Sequence, residues 1–495
     1  MKFGLEQHII DNLIAVFEQH SKVDKALVFG SRAKGNYRTD SDIDIAIKGQ
    51  NLNTDDIIAM SVAFEEKGIT HKIDLINYQS IKEPDLKEHI DRVGIDFYSR
   101  WKIYKVGDIA QIIGGGTPST SNPSNWNGDI PWLTPRDLTG YTNVYISKGE
   151  RNITNEGLKN SSARMLPKGS VLLTSRAPIG YVVIASNEIC TNQGFKNLIL
   201  NETIAHNLFI YYWLKNNVEY LQSIGTGTTF AEISASTVKD VDIELPPLCE
   251  QKEIASILNS IDLKIELLQS QNETLEKLAD TLFRQCFIEG ASFSETLGDY
   301  VQSANTGLDA IKRAPIVEYD TGVKCLRIQD VSQHKPINKW GHSKVEENNF
   351  KKFQLKRDDI IMARTCSPGI NYFVREDLPA VFNNGLVRIR ARKERVNPIL
   401  LYYLFKTRDF IGHIDAISGG TSVQLNMQVG QLLSYEFSFP TIEKQNEIIE
   451  SFIAFDDKTF ENNNQIASLI ELRNTLLPKL VSGEIRVSEL KEVTS

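Results

Sequence analysis

Two carboxylates, Asp42 and Asp44, stand one residue apart in FGSRAKGNYRTDSDIDIAI, Phe29 to Ile47. In a strand, residues i and i+2 point to one face, so these side chains sit together and repel each other. A cation between them removes that penalty. A second group with chemistry is the basic run Arg388, Arg390, Arg392, Lys393 and Arg395. It reads either as a set of phosphate contacts or as a solvated loop.

The elements that position these groups follow from length and periodicity. A chain of 495 residues exceeds the roughly 250–300 at which single cores stop growing, so several domains are expected. With 41% hydrophobic and 24% charged residues, 31 Gly and 16 Pro, the composition is that of an ordinary globular protein. Cys190, Cys249, Cys286, Cys325 and Cys366 lie far apart without a CxxC pair, which argues against a disulfide framework or a zinc site. No apolar run reaches the ~20 residues of a membrane span, and the amphipathic start does not resemble a signal peptide. A cytoplasmic protein is expected.

The chain repeats itself at a period of about 193 residues, with Asp137 aligning to Asp330. YKVGDIAQIIGGGTPS is echoed by ETLGDYVQSANTGLDA, and IPWLTPRDL by VKCLRIQDV. PKGSVLLTSRAPIG parallels LKRDDIIMARTCSPG, and SIGTGTTFAEISASTVKDVDIELPP parallels AISGGTSVQLNMQVGQLLSYEFSFP. Each globular half is rich in short β-like runs with one helical run near its end, HNLFIYYWLKNNVEYLQSI and NPILLYYLFKTRDFIGHIDAI. A mixed α/β module follows.

Each half then ends in a long heptad-patterned segment. Ile254, Ile261, Leu268, Leu275 and Leu282 form one seam line, and Leu258, Ile265, Asn272, Ala279 and Cys286 the other. The second segment matches with Ile448, Phe455, Asn462, Leu469 and Leu476 beside Phe452, Thr459, Ile466, Arg473 and Leu480. A coiled coil is predicted, with Asn272 and Asn462 able to fix register at a cost in stability. A helix of about 36 residues is ~54 Å long, the scale of a spacer.

The predicted divisions are 1–98, 101–246 (first module), 247–290 (first long helix), 296–440 (second module), 441–486 (second long helix) and a tail, 487–495. The fold class is α/β (α+β) multidomain, the two helices forming an antiparallel coiled coil with pseudo-twofold internal symmetry.

GGGTPS (Gly114 to Ser119), IPWLTPRDL, LLTSRAPIG and PPLCEQKEIASIL, set in tandem modules each followed by a long helix, resemble the specificity subunit of type I restriction-modification systems. The second module departs from this pattern, with ANTGLDA and PTIEKQNEI in the corresponding places. The resemblance implies two target-recognition domains, each reading half of a split site in double-stranded DNA, with the helices setting the gap. It implies partners too: two methyltransferase subunits that use S-adenosylmethionine, and ATP-driven restriction subunits. Thr134, Arg136, Arg176 and Lys196 in the first module, and Arg327, Arg364 and Arg388 in the second, are the expected DNA contacts. Arginine suits guanine edges and phosphates because its planar fork donates two parallel hydrogen bonds. Arg176 and Arg364 fall in a repeated loop, where a shared position could equally serve to hold the loop.

Residues 1–98 stand outside the repeat. GSRAKGNYRTDSDIDIAI resembles the minimal nucleotidyltransferase domain of the polymerase-β-like superfamily. That resemblance implies a nucleotide site at Gly30, Ser31, Lys34 and Arg38, and catalytic carboxylates Asp42, Asp44 and Asp74 holding Mg²⁺, Asp74 either completing the metal site or accepting a proton from the attacking hydroxyl, with an NTP as substrate. Two functions stay open: a DNA-specificity subunit with an accessory N-terminal domain, or a nucleotidyltransferase targeted to a protein or nucleic acid by the tandem modules.

Overall fold

The computed structural model describes residues 2–49, 51–227, 231–289, 294–418, 427–487 and 490. The chain forms two compact units, residues 1–259 with 476–495, and residues 260–475. The predicted tail lies mostly outside the described residues, as do 228–230 and 419–426 of the echoed loop segments.

In the first unit, strands between Val23 and Ser99 form a four-stranded sheet of order β3-β2-β1-β4. The strands are β1 (Val23–Val28), β2 (Ile43–Gly49), β3 (Ile73–Asn77) and β4 (Ile95–Ser99). Helix α1 (Gln7–Gln19) repeats apolar residues at helical spacing and buries Ile9, Ile10, Leu13, Val16 and Phe17. They share a core with Ile43, Ile45 and Ile47 of β2, so β2 turns its alternate residues, Asp44 among them, to the other face. Beyond β4, Arg100 Nε donates to Glu250 Oε2 at 2.8 Å, and Arg486 pairs with Asp24 and the Ser21 carbonyl. These ties anchor the start of β1, about 20 Å along the strand from Gly30 at its far end.

The first module joins a five-stranded sheet (Ala110–Gly114, Phe195–Leu200, Val171–Ser175, Ile179–Ala185 and Tyr145–Ile146, in that order) to a three-stranded one (Cys190–Thr191, Trp126–Leu133, Arg151–Ile153). The second module, in the other unit, has two four-stranded sheets. One orders Val301–Thr306, Leu386–Ala391, Ile360–Ala363 and Asn371–Phe373; the other Ile316–Val317, Gly341–Ser343, Lys324–Leu326 and Ala380–Phe382. The expected mixed α/β class is borne out. The single helical run expected near each module's end is in each case two short helices, Asn207–Asn216 and Val218–Ser223, and Pro398–Leu404 and Arg408–Ile417.

The long helices run Leu248–Phe287 and Ile449–Val481. In the second unit they pair antiparallel: Arg473 Nη1 meets Asp262 Oδ1 at 2.7 Å, and the Phe283 ring lies 6.1 Å from that of Phe452. Between them Asn462 Nδ2 donates to Asn272 Oδ1 at 2.8 Å, and Asn272 Nδ2 donates to Asn463 Oδ1 at 2.9 Å. The two predicted polar seam residues bond each other, while the buried Asn462 Oδ1 is left without a hydrogen-bond partner. One seam expectation is corrected. After Ala279 the buried positions are Phe283 and Phe287, with Cys286 exposed. Two phenylalanines stack into the second module's aromatic core, which outweighs the strict heptad. No described helix is long and apolar enough to cross a membrane.

Candidate nucleic-acid interface and carboxylate cluster

Four loops meet at one edge of the first module. The strand ending at Gly114 turns at Gly115, where a Cβ would stand 2.0 Å from the Asn192 carbonyl oxygen, so only glycine permits that approach. Gly116 N then donates to the Thr191 carbonyl at 2.9 Å, Asn192 N to Leu133 O at 2.8 Å, and Ser175 N to Gly194 O at 2.7 Å. The second module repeats each of these contacts. A Cβ at Gly307 would lie 2.3 Å from the Asn383 carbonyl oxygen. Leu308 N reaches Phe382 O at 2.9 Å, Asn383 N reaches Leu326 O at 3.1 Å, and Arg364 N reaches Gly385 O at 2.9 Å. The ANTGLDA departure therefore keeps the one glycine the backbone requires.

This frame gathers most of the predicted DNA contacts. Thr134 accepts a place in it by capping its turn, its N and Oγ1 each 2.7 Å from Asp137 Oδ2; its counterpart Arg327 grips Asp330 with Nε at 2.9 Å and Nη2 at 3.2 Å. Arg136 is exposed beside it, and Pro135 lies against Gly194. Arg176 is half-exposed and reaches Glu232 at 3.3 Å.

Strand pairing sets Val171 opposite Leu198 and Ile360 opposite Ile389, so Ser175 corresponds to Arg364 and Arg176 to Thr365. The two arginines therefore do not occupy one shared position.

Two expected contacts are corrected by burial. Lys196 is buried, with Nζ 3.1 Å from both Ser175 Oγ and Glu232 Oε1, and it ties the loops together from within. Arg388 is 4% exposed and donates to the Gln354 and Lys352 carbonyls at 3.1 and 3.2 Å. It sits mid-strand facing the core, and burial depresses its pKa. The basic run around it is occupied internally. Arg390 forms a fork on buried Asp359 at 2.6 and 3.1 Å, Arg392 donates to Val301 O, Lys393 pairs with Asp358 and Arg395 with Glu295.

Sequence reasoning missed two pairs of residues. Gln251, buried at the head of the first long helix, accepts from His206 N at 2.8 Å and donates to Ile204 O and Pro246 O, both at 2.9 Å. Gln445 does the same with Asn397 N at 2.9 Å, Arg395 O at 2.9 Å and Pro440 O at 2.8 Å. The signal was present as a Pro and Gln five residues apart in both halves. The second pair, Gln193 and Asn384, stands exposed at the tips of matching turns.

In the N-terminal domain, β2 and β3 run parallel with Asp44 beside Asp74, and Asp42 shares their face. Gly30, at φ +69°, is required there, since a Cβ would stand 2.0 Å from Asp44 Oδ2. Burial, then the charges of Asp74 and Asp42, hold the Asp44 carboxyl above its usual range. The cation among them is Lys72, whose Nζ lies 2.7 Å from Asp42 and 3.4 Å from Asp74.

Among the described residues no group of three His, Cys, Asp or Glu is set to hold a metal ion as it stands. The oxygen donors and their mutual repulsion still suit a hard divalent cation once Lys72 moves aside. Ser31 is the second residue of the short helix α2 (Gly30–Lys34), and Lys34 and Arg38 are exposed nearby. Arg32 was overlooked: buried, it donates to Ser41 O at 2.7 Å, Asp42 O at 3.2 Å and Phe3 O at 3.1 Å, fixing the loop that carries Asp42.

A raised carboxyl pKa means stability present at low pH and lost as pH rises through the folded value. Asp44→Asn is therefore expected to raise the melting temperature of the N-terminal domain at pH 7 without divalent cations, and to leave it unchanged at pH 3. Equal melting at both pH values would remove the repulsion argument.

A duplicated α/β module on a shared loop frame, each copy followed by a long helix, defines a class of tandem two-module proteins with paired helices. The family model described as the type I restriction modification DNA specificity domain matches residues 98–277 and 318–472, and the chain belongs to that family. The model for polymerase beta nucleotidyltransferases matches residues 11–102.

The chain is 34% identical over 423 residues to the MjaIX type I restriction enzyme specificity subunit of Methanocaldococcus jannaschii, covering 79% of this chain and 94% of that one. It is 25% identical over 441 residues to the MjaVIII specificity subunit of the same organism, covering 84% and 99%. The crystal structure of a type I restriction-modification S subunit from M. genitalium shares the fold, with a TM-score of 0.52 and 18% identity over 77% of this chain and 96% of that one.

Proposed function

We propose that the chain is the DNA-recognition subunit of a type I restriction-modification complex, with each module reading one half of a bipartite double-stranded site. The observation that carries this reading is the loop frame built twice with the same backbone contacts and different side chains at its edge. A duplicated reader of two different sequences needs that combination. Thr134, Arg136, Arg176, Arg327 and Arg364 are the proposed DNA contacts. The paired helices act as the spacer, because fixed separation makes the second binding event effectively intramolecular.

Exposed Leu263, Leu267 and Leu278 on the first long helix, and Ile453, Phe460 and Leu472 on the second, suit docking of the two methyltransferase subunits and, through them, the restriction subunits. S-adenosylmethionine and ATP would belong to those partners. Co-expression with the methyltransferase and genome-wide mapping of methylated adenines should return one bipartite motif; methylation without a bipartite motif would sink the proposal.

A second reading is favoured by the carboxylate face: the N-terminal domain transfers a nucleotide from an NTP. Asp42, Asp44 and Asp74 would hold Mg²⁺, which supplies charge neutralisation at the phosphates, while Gly30, Ser31, Lys34 and Arg38 would meet the triphosphate. The domain's site lies at the end of β1 away from its ties to Glu250 and Arg486, leaving it open to an acceptor. The double variant Asp42→Asn with Asp44→Asn is expected to abolish nucleotide transfer from labelled NTP and to leave DNA methylation by the assembled complex within twofold of wild type. Loss of methylation would instead make the nucleotidyltransferase the chain's main activity.

A further inference from the structure

The two modules can be compared turn by turn, and the comparison separates groups that build the frame from groups that project out of it. At the turn Asn192-Gln193-Gly194, the backbone is committed inward. Asn192 N bonds Leu133 O, Phe195 N bonds Asn192 O at 3.3 Å, and Gly194 O accepts from Ser175 N. Asn192 Oδ1 also takes the Gly194 N–H at 2.8 Å. At Asn383-Asn384-Gly385 the matching bonds recur, with Asn383 N on Leu326 O, Leu386 N on Asn383 O at 3.1 Å, and Gly385 O accepting from Arg364 N. The Asn and Gly of each turn serve the frame.

The residue between them adds at most a backbone bond to it, Asn384 N on Leu308 O at 2.8 Å, and its side chain is left to project outward. Gln193 and Asn384 are exposed while their flanking strands are buried, and both are carboxamides. A carboxamide presents one donor and one acceptor side by side, the pattern that meets N6 and N7 of adenine in the major groove. What supports the amide differs between the modules. The Thr117 hydroxyl donates to Gln193 Oε1, which leaves the Nε2 donors and a lone pair on Oε1 facing outward. At the matching position the second module has Asp309, whose carboxylate instead accepts from its own loop at Ile311 N, 3.0 Å, and Lys312 N, 2.8 Å. The neighbouring tip differs as well, Arg176 against Thr365.

We infer that Gln193 and Asn384 are the base-reading residues at the same place in the two modules, each taking an adenine edge in its own half-site, with Thr117 orienting the first. This inference rests on the DNA-recognition reading proposed above. It assigns the shared chemistry to the turn's centre and the difference between half-sites to positions 117 and 309 and positions 176 and 365.

The test is selection of bound duplexes from a pool randomised in both half-sites, using the full chain assembled with its methyltransferase subunits. Gln193→Ala should lower discrimination at one adenine of one half-site by about 10- to 100-fold and leave the other half-site unchanged, and Asn384→Ala should do the reverse. Gln193→Asn, which installs the second module's own residue, should fold normally and retain a weakened adenine preference. An unchanged motif in the alanine variants, or an equal loss of affinity for every sequence, overturns the inference. Should the wild-type complex select no sequence at all, the DNA-recognition reading itself fails, a result distinct from an intact motif indifferent to position 193.

Discussion

Gln251→Leu will detach the first module from the head of its helix. The leucine fills nearly the same volume but leaves three buried or half-buried backbone groups without partners: His206 N, Ile204 O and Pro246 O. Each unsatisfied group costs about 1–3 kcal/mol, and relaxation toward water recovers part of the sum, so a loss of about 4 kcal/mol is expected. Gln251 is 1% exposed, which limits how easily water can enter.

Gln445→Leu should act alike in the other unit, since its three partners are equivalent. Hydrogen exchange would localise the damage, with protection falling at residues 204–206 and 246–254 in the first variant. The DNA readout separates a joint from mere stability: below the melting temperature, affinity for a full bipartite duplex should fall at least tenfold while binding to a single half-site falls less, because only the former needs a fixed module angle. A variant within about 1 kcal/mol of wild type, or one that weakens both duplexes equally, would refute the joint.

The glutamine pair also shows what sequence reading reaches and where it stops. Repetition, heptads and the two-carboxylate strand were all legible, because period and spacing are local properties of the chain. Two of the three partners of Gln251 were not, since the His206 N–H and the Ile204 carbonyl lie 45 and 47 residues away and only the folded module brings them to it.

Register was the second limit. Arg176 and Arg364 look equivalent in a text alignment, yet strand pairing places them one position apart. A one-residue slip in a loop between strands changes which side chain emerges. Composition misled at Arg388. Five basic residues in close succession suggest an exposed face, but the strand Leu386–Ala391 is covered on both faces, which buries Arg388, and Asp358, Asp359 and Glu295 neutralise three of the others. Conversely, Gly307 kept its role in a segment whose letters had drifted, because steric contact with the Asn383 carbonyl constrains that one atom position and little else.

Removing one heptad from both long helices together is expected to move the preferred gap between half-sites while preserving the half-site sequences. Seven residues at 1.5 Å each shorten a helix by about 10.5 Å, close to three base pairs at about 3.4 Å. The deletions must match. Antiparallel pairing of Asp262 with Arg473 and Asn272 with Asn462 means that deleting 265–271 leaves the seam in register only if 464–470 are deleted too. The first helix shortened alone sets Asn272 against an apolar position and separates it from Asn462, which is fully buried; an unpaired buried amide costs about 1–3 kcal/mol, and bipartite binding should be lost. The paired deletion should bind again, at the shorter gap. If methylome maps of the paired-deletion complex return the wild-type gap, the helices do not measure it and the spacer role falls; if the half-site sequences change as well, recognition is not confined to the modules.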